Sequence, residues 1–409
     1  MTASTPPSEA EFLAEARAFL ACSAPRRLAT GGAWGQGDDE VPVLDAPDEA
    51  QERADLAQAR AWRATLFDAG YAWIDGPPAH GGRGLPAGHA KAFSRLEAEF
   101  EIPRLDTMLV SLRIVVPALA AHGTPEQKRQ FLPKLLRGDL VACQLFSEPE
   151  AGSDLAGVKT KAVRQGEGWV VNGQKVWTSG GHYSDFGLLL ARTDPAAPKH
   201  SALTMFLVDM RSPGIDVKPL RQMTGSTNFN EVFLDDLAVP DGARVGEINE
   251  GWRVAVTTLM TERQAVGDSK EAPVSVLVDR LLALAQHEHG RSPISYPAAR
   301  DSVVKAYVLS KVADLTSARF LQNAERTGAV GPEMSAVKLM RQDVLSQALD
   351  AAGVLVGPGM TADTGQWGTF AWGHAAVAAP GLRIGGGTDE IQRNILAERV
   401  LGLPREPVA

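Results

Sequence analysis

The sequence predicts an α+β protein of several domains, helical at both ends and β-rich in the middle. Three observations predict it. Helical spacing of apolar residues, with cap signals, runs from Ser8 to about Leu140. Short apolar runs set off by Pro and Gly fill Val141 to Gly246. Helical spacing then returns from Gly251 to the end. The 409 residues divide accordingly into 1–140, 141–250 and 251–409, segments near the roughly 100–200 residues of single domains.

Ser8 with Glu11 reads as a capping box, opening a helix with Phe12, Leu13, Ala16, Phe19 and Leu20 on one face. A polar, Gly-rich stretch from Gly31 to Asp48 reads as a loop or excursion, and helical periodicity resumes from Asp48 to Phe67. Asp75 to Pro86 is a Gly/Pro turn region. Thr124 before Pro125, Glu126 and Gln127 marks another helix start, since Pro is favoured at the first helical position, and Gly138 ends that helix. In the middle segment, Asn172-Gly173 between the apolar runs of Trp169–Trp177 predicts a hairpin turn. Leu188–Leu190, Leu203–Val208 and Glu231–Leu234 are further strands, spaced by Pro213, Pro219 and Pro240. Val274–His287, Pro297–Glu325 and Met334–Leu355 show helical spacing, with loops at Gly357–Gly359 and Gly385–Gly387. Along the helix Val303–Leu321, the stripe Val304, Tyr307, Val308, Val312 and Leu315 is too apolar for a free surface. It either fills the core of the bundle or meets another subunit.

Hydrophobic residues make up 44% and charged residues 22%, which suits a large core and argues against disorder. Lys and Arg total 41 against 49 Asp and Glu, a net charge of -8. This argues against nucleic acid as the main partner, because phosphate neutralisation needs clustered basic residues. Cys22 and Cys143 are too few for a disulfide framework and read as reduced thiols. No membrane span is expected, since no run reaches ~18 apolar residues. Glu9, Glu11 and Glu15 disqualify a signal or transit peptide, so the expected location is the cytoplasm.

Several motifs fail on inspection. Gly168–Lys175 nearly matches a phosphate-binding loop, but Gln174 stands where Lys is needed. Gly82–Ala87 follows a loop rather than a strand, and Pro86 disturbs its turn. His287-Glu288-His289 puts its rings on different helix faces, so no metal site is expected. Two segments carry chemistry instead. Gln144–Asp154 joins a strand to a Gly-Ser turn that can offer N–H groups and a hydroxyl to a phosphate or a polar cofactor edge. An ordinary capped turn would have the same composition. Trp177-Thr178-Ser179-Gly180-Gly181 sets an aromatic beside two hydroxyls, fit to stack on a planar ring, or alternatively a core tryptophan.

In chain order, Gly81–Leu85, Gly123–Pro133, Gln144–Asp154, Asn172–Ser179 and Gly387–Arg393 resemble the motifs of the acyl-CoA dehydrogenase family, over about Gly81 to Glu406. The resemblance implies an N-terminal helical domain, a central β-barrel-like domain and a C-terminal four-helix bundle. It implies FAD between the last two. Carried over by position, Gln144, Phe146 and Ser147 would lie along the flavin, Trp177 would pack on it, and Ser179 would bond its polar edge. Gly152 and Ser153 would meet the pyrophosphate or the CoA arm, while Thr388 and Glu390 would hold the cofactor from the C-terminal domain. Arg263, Gly386 and Gly387 would join Ser153 around the substrate. The implied reaction turns an acyl-CoA into the 2,3-enoyl-CoA, a carboxylate taking the α-proton and flavin N5 the β-hydride. The implied setting is fatty acid metabolism, a homodimer or homotetramer, and an electron-transfer flavoprotein or similar acceptor.

Two places depart from the family pattern. Many members carry the catalytic glutamate directly before the Gly-Thr pair, where this chain has Gly386. Other members carry it on the first C-terminal helix, where Gly251–Arg263 matches and Glu262 takes the position. Ala255, Leu259 and Val266 share the face of Glu262, so the carboxylate should be partly desolvated and basic. On local chemistry alone, an ion pair with a neighbouring helix is the commoner explanation. The second departure is the loop Gly290–Ile294, which keeps Arg291 as a phosphate contact but lacks the family's aromatic. Two alternatives follow: a non-catalytic or half-site subunit of a heteromeric dehydrogenase, and a flavin monooxygenase on the same fold.

Overall fold

The computed structural model describes residues 6–27, 35, 39, 41, 43, 48–268, 274–289, 297–327 and 331–405. They cluster into two compact units: residues 1–30, 47–222 and 226–261, and residues 31–46, 223–225 and 262–409. Among the described residues, no helix is long and apolar enough to cross a membrane.

The first unit begins with helices α1 (Glu9–Ser23), α2 (Glu49–Asp68), α3 (Ala87–Glu97), α4 (Val116–His122) and α5 (Pro125–Arg137). The capping box expected at Ser8 is present, and the helix start expected at Thr124 carries a second one. The Ser8 hydroxyl accepts from the Glu11 N–H and the Glu11 carboxylate accepts from the Ser8 N–H. Thr124 and Gln127 repeat the exchange at α5. The Gln127 amide also donates to the carbonyls of Gly242 and Arg244, at 2.9 and 2.7 Å, and so fastens α5 to the β structure. Gly138, at φ +87°, closes α5 with the left-handed turn that glycine favours.

The strands are β1 (Ala142–Leu145), β2 (Lys161–Gln165), β3 (Gly168–Ser179), β4 (Phe186–Arg192), β5 (Leu203–Asp209), β6 (Ile215–Leu220), β7 (Phe229–Pro240) and β8 (Arg244–Val245). They form one sheet in the order β6-β7-β3-β2-β4-β5-β8, with β1 parallel to β4. Alternation sends Leu188, Leu190, Leu203, Met205 and Leu207 into a core shared with Leu119, Leu132 and Leu136 of the helices. Leu189, Ala191, Phe206 and Val208 face the other way, onto Trp169, Val171, Val232 and Leu234 of β3 and β7. Strands β4 and β5 are thus apolar on both faces, which explains their continuous apolar runs. The sheet curls until its two arms share a core, the barrel-like form expected.

The expected hairpin turn at Asn172-Gly173 is absent. Gly168–Ser179 is one unbroken strand, and the turn into it lies at Gly166, φ +60°. The Asn172 side chain reaches across to Asp236 of β7 at a break in register. A Cβ on Gly173 would lie 2.3 Å from the Thr160 hydroxyl. The glycine there serves close packing, and the Asn serves a bulge.

His182, just past β3, ties the sheet to α2. Its backbone N–H and its Nδ1 both meet Asn230 Oδ1, at 3.1 and 3.0 Å. An oxygen that accepts the backbone N–H is an acceptor, so Nδ1 carries a proton. Nε2 lies 2.9 Å from the buried Glu52 carboxylate and must donate as well. Both ring nitrogens are donors, so the ring is an imidazolium. The hydrogen bond to the Glu52 carboxylate raises its pKa, against the effect of burial. Its stabilisation is complete below the unfolded value, ~6.5, and is lost as pH rises through the raised folded value. The gap in melting temperature between wild type and His182→Gln should therefore shrink from pH 6 to pH 9. A gap that stays constant over that range contradicts the assignment.

After α6 (Gly251–Asp268) come α7 (Val274–His289), α8 (Pro297–Thr327), α9 (Met334–Val356), α10 (Phe370–Ile384) and α11 (Asp389–Ile395). The second unit's core joins Leu277, Leu281, Leu284, Val303, Leu345, Ala348 and Trp372. The polar stretch after α1 contributes to it: Val41 packs in this core, and Asp39 accepts from Arg280 and from the Gly368 N–H. The stripe on α8 does not fill the core. Val304, Tyr307, Val308, Val312 and Leu315 are 41–72% exposed, while Val303, Ala306 and Ala313 face inward.

Candidate active site

Strand β1 leaves the sheet after Leu145. Glu148 and Ala151 then exchange backbone hydrogen bonds of 3.0 and 3.1 Å around a tight turn, beyond which Gly152 and Ser153 are exposed. Gln144 and Ser147 are half-buried and Phe146 is buried. The Val176 N–H donates to the Ser147 carbonyl at 2.9 Å, so the segment after β1 lies against the end of β3. There the β3–β7 register shifts between Lys175 and Thr178. This irregularity turns Trp177 outward, with its backbone at φ +60° and its side chain largely in solvent. A bulky residue in the left-handed region is strained, and such strain concentrates at functional sites. Ser179 pairs with Phe229, whose ring meets Trp177 edge-on at 5.8 Å. An exposed indole flanked by Ser147 and Ser179 fits one face and one polar edge of a planar flavin. Beside it the buried Thr178 hydroxyl has no hydrogen-bond partner among the described residues.

Beneath this surface lies an ion pair that the sequence did not single out. Lys175 is fully buried, and its ammonium lies 2.8 Å from Glu148 Oε1. Burial pushes the ammonium down to about 8, against the pull of Glu148. Burial alone would raise the Glu148 carboxyl, but Lys175 and the donors at Thr160 and Lys159 outweigh it and hold it below the usual range.

In the second unit, α10 runs into the loop Gly385–Gly387. Gly386 and Gly387 have φ of +67° and +88°, which glycine adopts readily. The Lys338 ammonium donates to the carbonyls of Gly385 and Gly387, and the Gln392 amide donates to that of Gly386 at 3.0 Å. Thr388 caps α11 by accepting from the Ile391 N–H. Glu390 is exposed and paired with Arg393, while Asp389 is buried and bonded to Arg383. Glu262 and Arg263 fall on α6, but their side chains lie outside the described set, and Arg291 lies outside the described residues altogether. Upstream on α6, Val254, Ala255 and Thr258 are buried and Leu259 is partly so.

The structure thus brings Gln144, Phe146, Ser147, Trp177 and Ser179 together, and it places Gly386, Gly387, Thr388 and Glu390 on one loop and helix start. Sequence reasoning missed Lys175, Glu148 and Lys338 as organisers. The available signal was a lysine at an inward strand position between Val171 and Thr178.

Models of the acyl-CoA dehydrogenase N-terminal, middle and C-terminal domains match residues 38–139, 143–237 and 249–401. The chain is 39% identical over 341 residues to acyl-CoA dehydrogenase FadE34 of Mycobacterium tuberculosis, covering 80% of this chain and 44% of that protein. It therefore spans less than half the length of that relative. It is 36% identical over 370 residues to acyl-CoA dehydrogenase IpdE1 of the same organism, covering 87% of this chain and 91% of the relative. Among solved structures, the ChsE4-ChsE5 complex from Mycobacterium tuberculosis matches with a TM-score of 0.71 and 27% identity, covering 99% of this chain and 100% of the matched one. The helix–sheet–helix order, the motif sequence and these likenesses agree: the chain belongs to the acyl-CoA dehydrogenase family, flavin-dependent oxidoreductases.

Proposed function

We propose that the chain converts an acyl-CoA thioester to the 2,3-enoyl-CoA, with Glu262 taking the α-proton. The observation that carries this reading is Trp177, held in solvent at a strained φ beside Ser147 and Ser179. When bound, FAD supplies the two-electron acceptor for the β-hydrogen. Trp177 offers it an apolar face, and the Ser147 and Ser179 hydroxyls offer hydrogen bonds, with Gln144 and Phe146 alongside. Thr388, Glu390 and Arg291 contribute from the C-terminal region. Gly152 and Ser153 meet the pyrophosphate or the CoA arm, and Arg263, Gly386 and Gly387 line the acyl end. Glycine at 386 has no group to take a proton, which leaves the carboxylate of α6. An electron-transfer flavoprotein or similar carrier reoxidises the enzyme.

Anaerobic titration with a panel of acyl-CoAs should bleach the flavin absorbance of the purified protein. Trp177→Ala should weaken FAD binding by about 0.5–1.5 kcal/mol beyond lost area, if the contact behaves as an aromatic pair. Colourless protein that also refuses added FAD would overturn the reading.

A second reading, a subunit of a heteromeric dehydrogenase, is favoured by the likeness to one chain of a two-protein complex. It requires a folded chain that is colourless alone and retains FAD only with a partner. The exposed stripe on α8 supports self-association in the first reading. Val308 and Val312 sit mid-stripe, 50% and 45% exposed, where a second copy would cover them. Val308→Glu with Val312→Glu should reduce the mass seen by light scattering to that of a monomer. Wild type that is already monomeric across a concentration series contradicts this.

A further inference from the structure

We infer that Lys175 is a positioning residue of this site: its buried ammonium fixes the backbone from Phe146 to Glu148 where β1 parts from β4, and so sets the Ser147 hydroxyl beside Trp177. The inference deepens the flavin reading and rests on it.

Parallel pairing of β1 with β4 ends at Leu145 opposite Leu189. Continued by one step, it would set Phe146 opposite Leu190. The Lys175 ammonium donates to both of those carbonyls, at 3.0 and 2.8 Å. The ladder thus opens without leaving two buried acceptors unpaired, which would be costly. The third ammonium proton goes to Glu148 Oε1 at 2.8 Å, so all three donors are engaged. Glu148 in turn accepts from the N–H groups of Lys159 and Thr160, at 2.6 and 3.0 Å, at the entry to β2.

The consequence falls on Ser147. The carbonyl before it is held by Lys175, its own by the Val176 N–H, and the side chain after it by Lys175 again. Three consecutive residues are therefore registered against residues 175 and 176, directly before Trp177. A buried ion pair is weak evidence for stability, since an apolar pair of similar volume is often as stable. What apolar residues could not supply is three donors converging on a strand separation. The geometry accordingly points to placement of the Ser147 segment as the role of this lysine.

A double-mutant cycle tests it, using the full chain with FAD. Ser147→Ala is made in wild type and in a Glu148→Gln/Lys175→Met background, which removes both buried charges so that no unpaired carboxylate remains to disrupt folding. FAD affinity and the spectrum of the bound flavin are read alongside the melting temperature. In wild type, Ser147→Ala should weaken FAD by roughly 3- to 10-fold, the worth of one hydrogen bond, and shift the flavin spectrum. In the neutral background the same change should have no further effect on either. Glu148→Gln alone keeps the ammonium and an acceptor oxygen and should retain the wild-type spectrum. If Ser147→Ala has the same effect in both backgrounds, or if the neutral pair lowers only the melting temperature, Lys175 is structural and the inference is overturned while the flavin reading stands. A folded wild-type chain that takes up no FAD overturns both.

Discussion

Glu262→Gln is expected to slow reduction of the bound flavin by acyl-CoA by ~10²–10⁴-fold, the usual worth of a general base. FAD and acyl-CoA affinity should hardly change, because glutamine is nearly isosteric. The two carboxylates at the start of α11 are already paired. Asp389 is buried and bonded to Arg383, and Glu390 is paired with Arg393. The loop that carries the glutamate in many relatives is pinned here by Lys338 and Gln392 through all three glycine carbonyls. A second change, Gly386→Glu, would place a carboxylate on that loop at φ +67°, a left-handed conformation costing a non-glycine residue about 1–2 kcal/mol. Any rescue of Glu262→Gln by it should therefore be partial. The single variant decides: reduction at the wild-type rate would move the base elsewhere. A rate that falls together with FAD affinity would instead mean a damaged site.

What the sequence made legible was local. The boxes at Ser8–Glu11 and Thr124–Gln127 join residues three apart, so their chemistry is written in adjacent letters. The apolar runs of β4 and β5 were legible for the same reason, since burial on both faces leaves few polar positions. Asn172-Gly173 misled because its glycine answers to Thr160 and its asparagine to Asp236, neither of which the dipeptide reveals. The stretch holding Asp39 and Val41 could be called an excursion, but its docking beside Arg280 and Gly368 joins distant parts of the chain. Lys175 was the hardest case. Its acceptors come from residues 146, 148 and 190, and only the parting of two strands explains why they converge. The candidate site was reached through motif order and resemblance, while the strain at Trp177 and the pinned glycine loop required coordinates.

Trp372→Ala should cost about 3–5 kcal/mol of stability, near the upper end of that range. Trp372 is fully buried on α10, the largest such side chain among the described residues, and sits in a core with Leu281, Leu345 and several alanines. How much a cavity costs depends on whether its lining can collapse into it. Ala348, Ala351, Ala352 and Ala375 are fixed to helix backbones and have no rotamers with which to fill the gap. Trp372→Phe separates volume from polarity. The indole Nε1 is buried and has no hydrogen-bond partner among the described residues, and a buried unsatisfied donor costs about 1–3 kcal/mol. Removing it offsets part of the lost packing, so phenylalanine should cost well under half as much as alanine. Urea denaturation of both variants, followed in the far ultraviolet, measures the two costs against wild type. A phenylalanine loss above half the alanine loss would mean that the indole N–H is satisfied in solution. A loss below about 1 kcal/mol for alanine, under the low end of the expected range, would mean that the C-terminal core is not built around this ring.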